Sequence, residues 1–310
     1  MNILLAGGAG FLGSHFCDFL LEKGHSVYCI DNFITGKKEN IKHLLNNKKF
    51  KFKKTDITKK FSIKEKFDCV INFAAIASPV FYDKYKIETL LVGSYGTYNL
   101  LELARKNKAK FLMASTSEVY GDPAFNPQKE TYWGNVNPIG KRSMYDESKR
   151  FSEALIMNYH RVYGLDTKIV RIFNTYGPRM NMNDGRVVPQ FINQALNNKP
   201  ITVFGKGTQT RSLCYVSDLI TGIYKLLMSK EPTPVNIGNP HELTVKDIAK
   251  TIIKLTNSKS KIIYKPLPED DPKRRRPDIS KAKKILKWEP KVDLNQGLLK
   301  TIDYFKRSKI

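Results

Sequence analysis

Through the first half of the chain, short apolar runs rich in β-branched residues alternate with longer stretches in which apolar positions recur at three- and four-residue spacing. The short runs, Asn2 to Ala6, Ser26 to Asp31, Lys51 to Thr55, Cys69 to Phe73, Lys110 to Ser115 and Lys168 to Arg171, predict strands. The long ones, Phe11 to Lys23, Leu90 to Lys106 and Asp146 to Tyr163, predict helices with one buried stripe. Such alternation implies a parallel sheet covered by helices on both faces, a doubly wound α/β architecture. After Arg171 the rhythm changes: Gly, Pro and Asn thicken at Asn174 to Arg179 and again from Asn236 to Pro240. We therefore expect a first domain over residues 1–172 and a smaller one over 173–310, with part of 210–240 returning to the first sheet. Ser217-Asp218 predicts the cap of a helix through Met228, and Thr244 to Leu255 and Leu294 to Phe305 predict two more.

With 310 residues, 41% of them hydrophobic, the chain can bury roughly three quarters of its unfolded surface. Disorder, a collagen and a miniprotein are excluded. Fifty-three Lys and Arg against 29 Asp and Glu give a net charge of +24, which calls for anionic partners or a basic surface without choosing between nucleic acid and nucleotide. The stretch Lys48 to Lys66 holds nine lysines and two acids but lacks the aromatic interleaving of a single-strand groove, so it reads as a solvated helix and strand edge. Lys273 to Pro277 reads equally as a nucleic-acid patch or as a clamp for phosphate or carboxylate. Cys17, Cys29, Cys69 and Cys214 are far apart and form no Cys-x-x-Cys pair, so neither a metal site nor a disulfide framework is expected. With no apolar run near the ~20 residues of a bilayer crossing and no leader pattern, we expect a cytoplasmic protein.

The chemistry starts at the first turn. Gly7-Gly8-Ala9-Gly10-Phe11-Leu12-Gly13 follows the first predicted strand and opens the first helix, the context in which glycines let a backbone approach a pyrophosphate held by free N–H groups. Asp31 ends the second strand 18 residues beyond Gly13, where a carboxylate accepts ribose hydroxyls and repels a 2′-phosphate, favouring NAD; Lys37 and Lys38 weaken that preference. Asp56-Ile57, after the third strand, can meet the adenine edge.

Tyr145 and Lys149 stand four residues apart at the start of a predicted helix, hence on one face, and a neighbouring ammonium is expected to pull the phenol's pKa down. Ser115-Thr116-Ser117-Glu118 leaves the fifth strand at the carboxyl edge of the sheet, where open α/β folds bind ligands. Thr116 can share a substrate proton with Tyr145, and Glu118 is the candidate for carboxylate chemistry.

Carrying these motifs, the chain resembles the extended short-chain dehydrogenase/reductase superfamily, with its Rossmann-type sheet, and within it the UDP-glucuronic acid decarboxylases. The resemblance runs over nearly the whole length, through Asp31-Asn32-Phe33, Ala74 to Pro79, Ser115 to Pro123, Tyr132 to Gly140, Tyr145 to Arg150, Arg171 to Met180, Asp184 to Val188, Gln209 to Arg211 and Asp270 to Ile279. It implies that Tyr145, helped by Thr116 and Lys149, takes the C4 hydroxyl proton of UDP-glucuronate while the C4 hydride passes to NAD. It implies also that Ser117, Glu118 and Arg275 belong to the catalytic set, that Glu118 with Arg275 assists carboxylate loss and C5 protonation, and that the hydride then returns to give UDP-xylose. Gly7, Gly10, Phe11, Leu12, Gly13, Asp31, Asn32, Asp56 and Ile57, with Tyr145 and Lys149, would hold NAD; Asn174, Arg186, Val187, Val188, Arg211 and Arg275 would line the UDP-sugar pocket. Relatives form homodimers, so a second copy is expected as partner. Asn72, Ile76, Gly93 and Ser148 stand where relatives usually carry histidine, proline, asparagine and glycine. The rival readings are a nucleotide-sugar 4,6-dehydratase, disfavoured because Ser117 replaces the acid that expels water, a 4-epimerase, and a non-catalytic dinucleotide sensor with a basic nucleic-acid surface.

Overall fold

A computed structural model describes residues 1–266 and 274–308; Asp270 to Lys273, named above, lie outside them. Among the described residues seven strands form one parallel sheet. In chain order these are β1 (Asn2–Ala6), β2 (Ser26–Asp31), β3 (Phe50–Lys54), β4 (Cys69–Asn72), β5 (Lys110–Thr116), β6 (Thr167–Ile172) and, later in the chain, β11 (Val235–Ile237). The outlying strands are β7 (Thr175–Tyr176), β8 (Ile201–Phe204), β9 (Thr210–Ser212), β10 (Cys214–Tyr215), β12 (Glu242–Thr244) and β13 (Ile262–Lys265). The sheet order is β11-β6-β5-β4-β1-β2-β3, so the connections reverse direction between β1 and β4. Helices cover both faces, as the alternating pattern requires: α1 (Phe11–Glu22), α2 (Pro79–Lys84), α3 (Lys86–Leu91), α4 (Thr97–Asn107) and α5 (Ser143–Tyr163), followed by α6 (Val187–Leu196), α7 (Val216–Leu227), α8 (Val245–Thr256), α9 (Ser280–Leu286) and α10 (Leu294–Arg307).

Sequence explains the strand order. The central strands β1, β4 and β5 are buried almost throughout and read as continuous apolar runs, as strands covered on both faces must. β3, at the edge, carries the exposed Lys51, Lys53 and Lys54, charges that keep a free strand edge from pairing with another chain. Much of the lysine-rich stretch is thus a solvated edge.

Two local readings are corrected. The helix expected over Leu90 to Lys106 is a path of three pieces, because Val92–Gly96 forms a π-helical turn between α3 and α4. Such a wide turn slips the register locally and brings Gly93 against Ser148 and Gly96 against Ile57. Asp218 is not a cap: it lies inside the first turn of α7, whose cap residue is Tyr215, and its carboxylate accepts the amides of Lys291 and Val292 at 2.8 Å each, tying the C-terminal segment to the sheet side.

A buried hydroxyl chain holds α5 against β4. Asn72 Nδ2 donates to Thr97 Oγ1 at 3.1 Å, Thr97 and Ser152 share a bond at 3.2 Å, and Ser152 Oγ lies 2.6 Å from the Gly93 carbonyl oxygen. Asn72 Oδ1 accepts the Ala74 amide at 3.1 Å, so Asn72 fixes the loop leaving β4. Gly93 and Ser148 are one packing solution, since a Cβ on Gly93 would sit 2.6 Å from the Ser148 Cβ. We expect Gly93→Ala to destabilise the protein by about 1–3 kcal/mol through overpacking, and Ser148→Gly to return part of that loss. Denaturant unfolding of the two single variants and the double variant checks this; additive losses would break the pairing.

Candidate functional site

The connection reversal between β1 and β4 opens a crevice at the carboxyl ends of the strands, where such sheets take ligands. A cleft of about 280 Å³ is lined there by Gly7 and Gly10, by Asp31 and Asn32, and by Asp56 and Ile57, with Phe73 to Ile76 from the β4 loop. Six of the residues expected to hold NAD therefore line one cleft. Phe11, Leu12 and Gly13 form the first turn of α1, whose cap residue Gly10 has no side chain to satisfy their amides, leaving three donors at the positive end of a helix. The glycines are required by contact: a Cβ on Gly7, whose φ is +78°, would lie 2.6 Å from the Ala74 nitrogen, and one on Gly13 would lie 2.7 Å from the Gly8 Cα.

Asp31 is held rigidly. Its Oδ2 accepts the Ala9 amide at 3.0 Å and its Oδ1 the Phe33 amide at 2.8 Å; burial raises its carboxyl above the usual range, with those two bonds opposing the shift. Lys37 and Lys38 are exposed.

At the end of β5 the backbone turns into a short 3-10 turn, Ser117–Tyr120, capped by Thr116, whose Oγ1 accepts the Glu118 amide at 3.2 Å. The first turn of α5 starts at Ser143, three residues earlier than the periodicity predicts, and places Tyr145 opposite Thr116. Tyr145 hydrogen-bonds Thr116, and its ring stacks on Tyr82 with centroids 5.4 Å apart. Lys149 lies one turn on, its Nζ donating to the Ala114 carbonyl oxygen at 2.8 Å.

The expected depression of the phenol's pKa is not found. Burial pushes Tyr145 up, the Thr116 bond pulls it back, and the negative charges of Glu118 and Asp146 push it up again. Lys149 spends its ammonium on Ala114, and burial brings its own pKa down to about 8. A phenol sealed among carboxylates keeps its proton until a further positive charge arrives.

Glu118 is the electrostatic centre. Burial pushes its carboxyl up, but Arg275, Arg142 and Arg211 outweigh that and hold it below the usual range. Arg275 reaches it because Gln128 brackets the following residue: the Arg276 amide donates to Gln128 Oε1 and the Gln128 amide to the Arg276 carbonyl oxygen, both at 2.9 Å. Of the three consecutive arginines, Arg275 alone contacts Glu118, whereas Arg274 and Arg276 turn to Glu242 at 3.0 and 3.7 Å. Asp146, also facing this cluster, is pushed up to about 7 by burial and by Glu118, against Arg142 and Arg275.

The second half of the chain supplies fewer of the expected contacts. Arg186 forks onto Asp184 in its own loop and Val188 belongs to the hydrophobic core, while Val187 packs against that core. Asn174 is half-buried between β6 and β7, its carbonyl oxygen accepting the Cys214 amide at 2.9 Å. Arg211, on β9, acts on Glu118 through charge. Sequence reasoning missed Arg142 and Asp146. The available signal was an arginine just before a helix, where the dipole disfavours a cation and a carboxylate partner is needed.

The sequence model of the GDP-mannose 4,6 dehydratase family matches residues 4–301. UDP-glucuronic acid decarboxylase 1 of Arabidopsis thaliana is 48% identical over 306 residues, covering 99% of this chain and 70% of the relative. UDP-glucuronic acid decarboxylase 1 of Danio rerio is 49% identical over 306 residues, covering 99% and 73%. Among solved structures, UDP-glucuronic acid 4-epimerase from Bacillus cereus, in complex with UDP-glucuronic acid and NAD, superposes with a TM-score of 0.87 at 32% identity, covering 99% of this chain and all of that one. Since these similarities run through the glycine turn, the Thr116 to Glu118 strand end and the Tyr145 to Lys149 helix alike, the chain belongs to the extended short-chain dehydrogenase/reductase superfamily, in the branch of the UDP-glucuronic acid decarboxylases.

Proposed function

We propose that this protein is an NAD-dependent UDP-glucuronate decarboxylase that forms UDP-xylose through a 4-keto intermediate. The observation that carries the reading is the meeting of two groups at one sheet edge: a buried Tyr145 bonded to Thr116, and a half-buried carboxylate, Glu118, gripped by two guanidiniums. The first suits oxidation at a hydroxyl carbon, the second handling of an acid group beside it.

The residues present fit the dinucleotide. Gly7, Gly10 and the first-turn amides of α1 leave backbone against which a pyrophosphate can close, and Asp31 lines the same cleft for a ribose. When bound, NAD+ supplies the acceptor for the C4 hydride, its later return, and a positive charge that favours the Tyr145 phenolate. Tyr145 takes the proton of the C4 hydroxyl, with Thr116 sharing it and Lys149 holding the strand end through Ala114. The carbonyl made at C4 lies β to the carboxylate, so loss of CO2 delivers its electron pair into an enolate. Glu118 with Arg275 assists that loss and the protonation of C5; held ionised, Glu118 relays a proton and does not store one. Ser117 offers a buried hydroxyl, with no acid to expel water from C6, which is why dehydration is the lesser reading.

We extend the reading to a homodimer. Tyr95, Tyr98, Phe151, Val162 and Tyr163 are 47–69% exposed along the π-helical turn, α4 and α5, an apolar face suited to a second copy. Among the described residues no helix is long and apolar enough to cross a membrane, and four buried free thiols support placement in the cytoplasm.

Tyr145→Phe is expected to abolish CO2 release from UDP-glucuronate while leaving NAD binding and the unfolding midpoint unchanged; retained turnover removes the assigned base. Glu118→Gln is expected to preserve some C4 oxidation, seen as reduced-nicotinamide absorbance in a single turnover, with CO2 loss stalled. Equal loss of both steps in that variant would count against its place at C5.

A further inference from the structure

Loss of CO2 from a carboxylate, with hydrogen added at the carbon left behind, consumes one proton per turnover. The proton that Tyr145 takes from the C4 hydroxyl cannot serve, because it goes back to the same oxygen when the hydride returns. Glu118, held ionised by Arg275 and Arg142, has none to give until it receives one. The chemistry at C5 therefore needs a second acid, closed to bulk water and protonated near neutrality.

Asp146 stands where that acid is needed. It follows Tyr145 in the first turn of α5 and is 7% exposed. Its amide donates to the Arg142 carbonyl oxygen at 3.1 Å, the same oxygen that accepts the Tyr145 amide at 3.0 Å, while the Arg142 side chain reaches Glu118. One short stretch of backbone thus ties Asp146 to the proposed base and to the glutamate.

Its carboxyl differs from those of the other deeply buried aspartates. Asp31 accepts the amides of Ala9 and Phe33, Asp184 the amide and Nε of Arg186, and Asp218 the amides of Lys291 and Val292. Those are structural carboxylates, paid with donors. The buried Oδ1 of Asp146 has no hydrogen-bond partner among the described residues, a cost that falls when the group carries a proton and no charge. Charge around it agrees: burial and the field of Glu118 raise its pKa to about 7, with Glu147 on the same helix adding to the rise and Arg142 and Arg275 opposing it.

Resting on the decarboxylase reading, we infer that Asp146 is the proton store of the site. Its carboxyl gives a proton to Glu118, and Glu118 passes it to C5, where the electron pair of the enolate forms the new C–H bond as the C4 carbonyl is restored. Asp146, left as a carboxylate, is recharged from solvent between turnovers.

Turnover of UDP-glucuronate by the NAD-loaded protein across a pH series tests this, with CO2 and nicotinamide absorbance both followed. Because the acid form is the working one, wild-type kcat is expected to fall as pH rises through about 7. Asp146→Asn is expected to lower kcat by about a hundredfold, to leave KM within about twofold, and to abolish that fall. In a single turnover of this variant, reduced nicotinamide forms as in wild type but persists, since hydride cannot return to C4 until the enolate is protonated. Asp146→Glu, which keeps a titrating carboxyl, is expected to recover part of the rate and the fall, and it carries the test should the asparagine variant fail to fold. An unchanged kcat in Asp146→Asn, or a lower one with the wild-type fall retained, overturns the inference. Infrared difference spectra between about pH 6 and about pH 8 are expected to show loss of a protonated-carboxyl band that Asp146→Asn lacks. CO2 release without that band overturns the inference alone; the band without CO2 release removes the decarboxylase reading and the inference with it.

Discussion

A carboxylate cannot be taken out of water unless cations and hydrogen-bond donors surround it, and removing one partner of a buried ion pair costs about 3–5 kcal/mol. Glu118 meets that condition through Arg142 and Arg275, one from the start of α5 and one from the segment before α9. Meeting it pulls three distant parts of the chain together: the end of β5, the first turn of α5 and residues 274–279. The arrangement around Tyr145 inherits its geometry from this requirement.

The supports behind the cluster are polar as well. Arg171 forks onto Glu153, which also accepts the Ser115 hydroxyl at 2.5 Å; Arg171 further donates to the Tyr120 hydroxyl, and Tyr120 in turn to Asn236 Oδ1 on β11. Asn236 Nδ2 donates to the carbonyl oxygens of Gln128 and Asp278, joining the seventh strand to the loops that carry Arg275. A satisfied buried network of this kind rigidifies what it touches, because any shift leaves a polar group without a partner. The site is therefore held from behind by the sheet itself, and its variable chemistry is confined to a few side chains at the strand ends.

Much of this was legible before any coordinates. Gly7 to Gly13 announced the turn and Asp31 its acidic partner, since both depend on short-range spacing and both line the cleft. Tyr145 and Lys149 were legible as one helix face, but the sign of their coupling was not. Spacing brings the two onto one face and says nothing of Ala114, whose carbonyl oxygen takes the ammonium, or of Glu118 and Asp146, whose charges push the phenol the other way. Likewise the π-helical turn at Val92–Gly96 left no periodic trace, because the contact it makes, Gly93 against Ser148, is with a helix distant in the chain.

The sequence alone determined the class of fold, the carboxyl edge on which the chemistry gathers and the residue types available there, because apolar period, glycine conformation and helix spacing are properties of neighbours along the chain. Tertiary structure decided which arginine of Arg274 to Arg276 meets Glu118, that Arg142 joins it, and that Arg186 and Val188 turn to Asp184 and the core. The first of these joins residues 157 apart and the second residues 24 apart, and which charges are buried together across such separations is a matter of desolvation that no local pattern encodes.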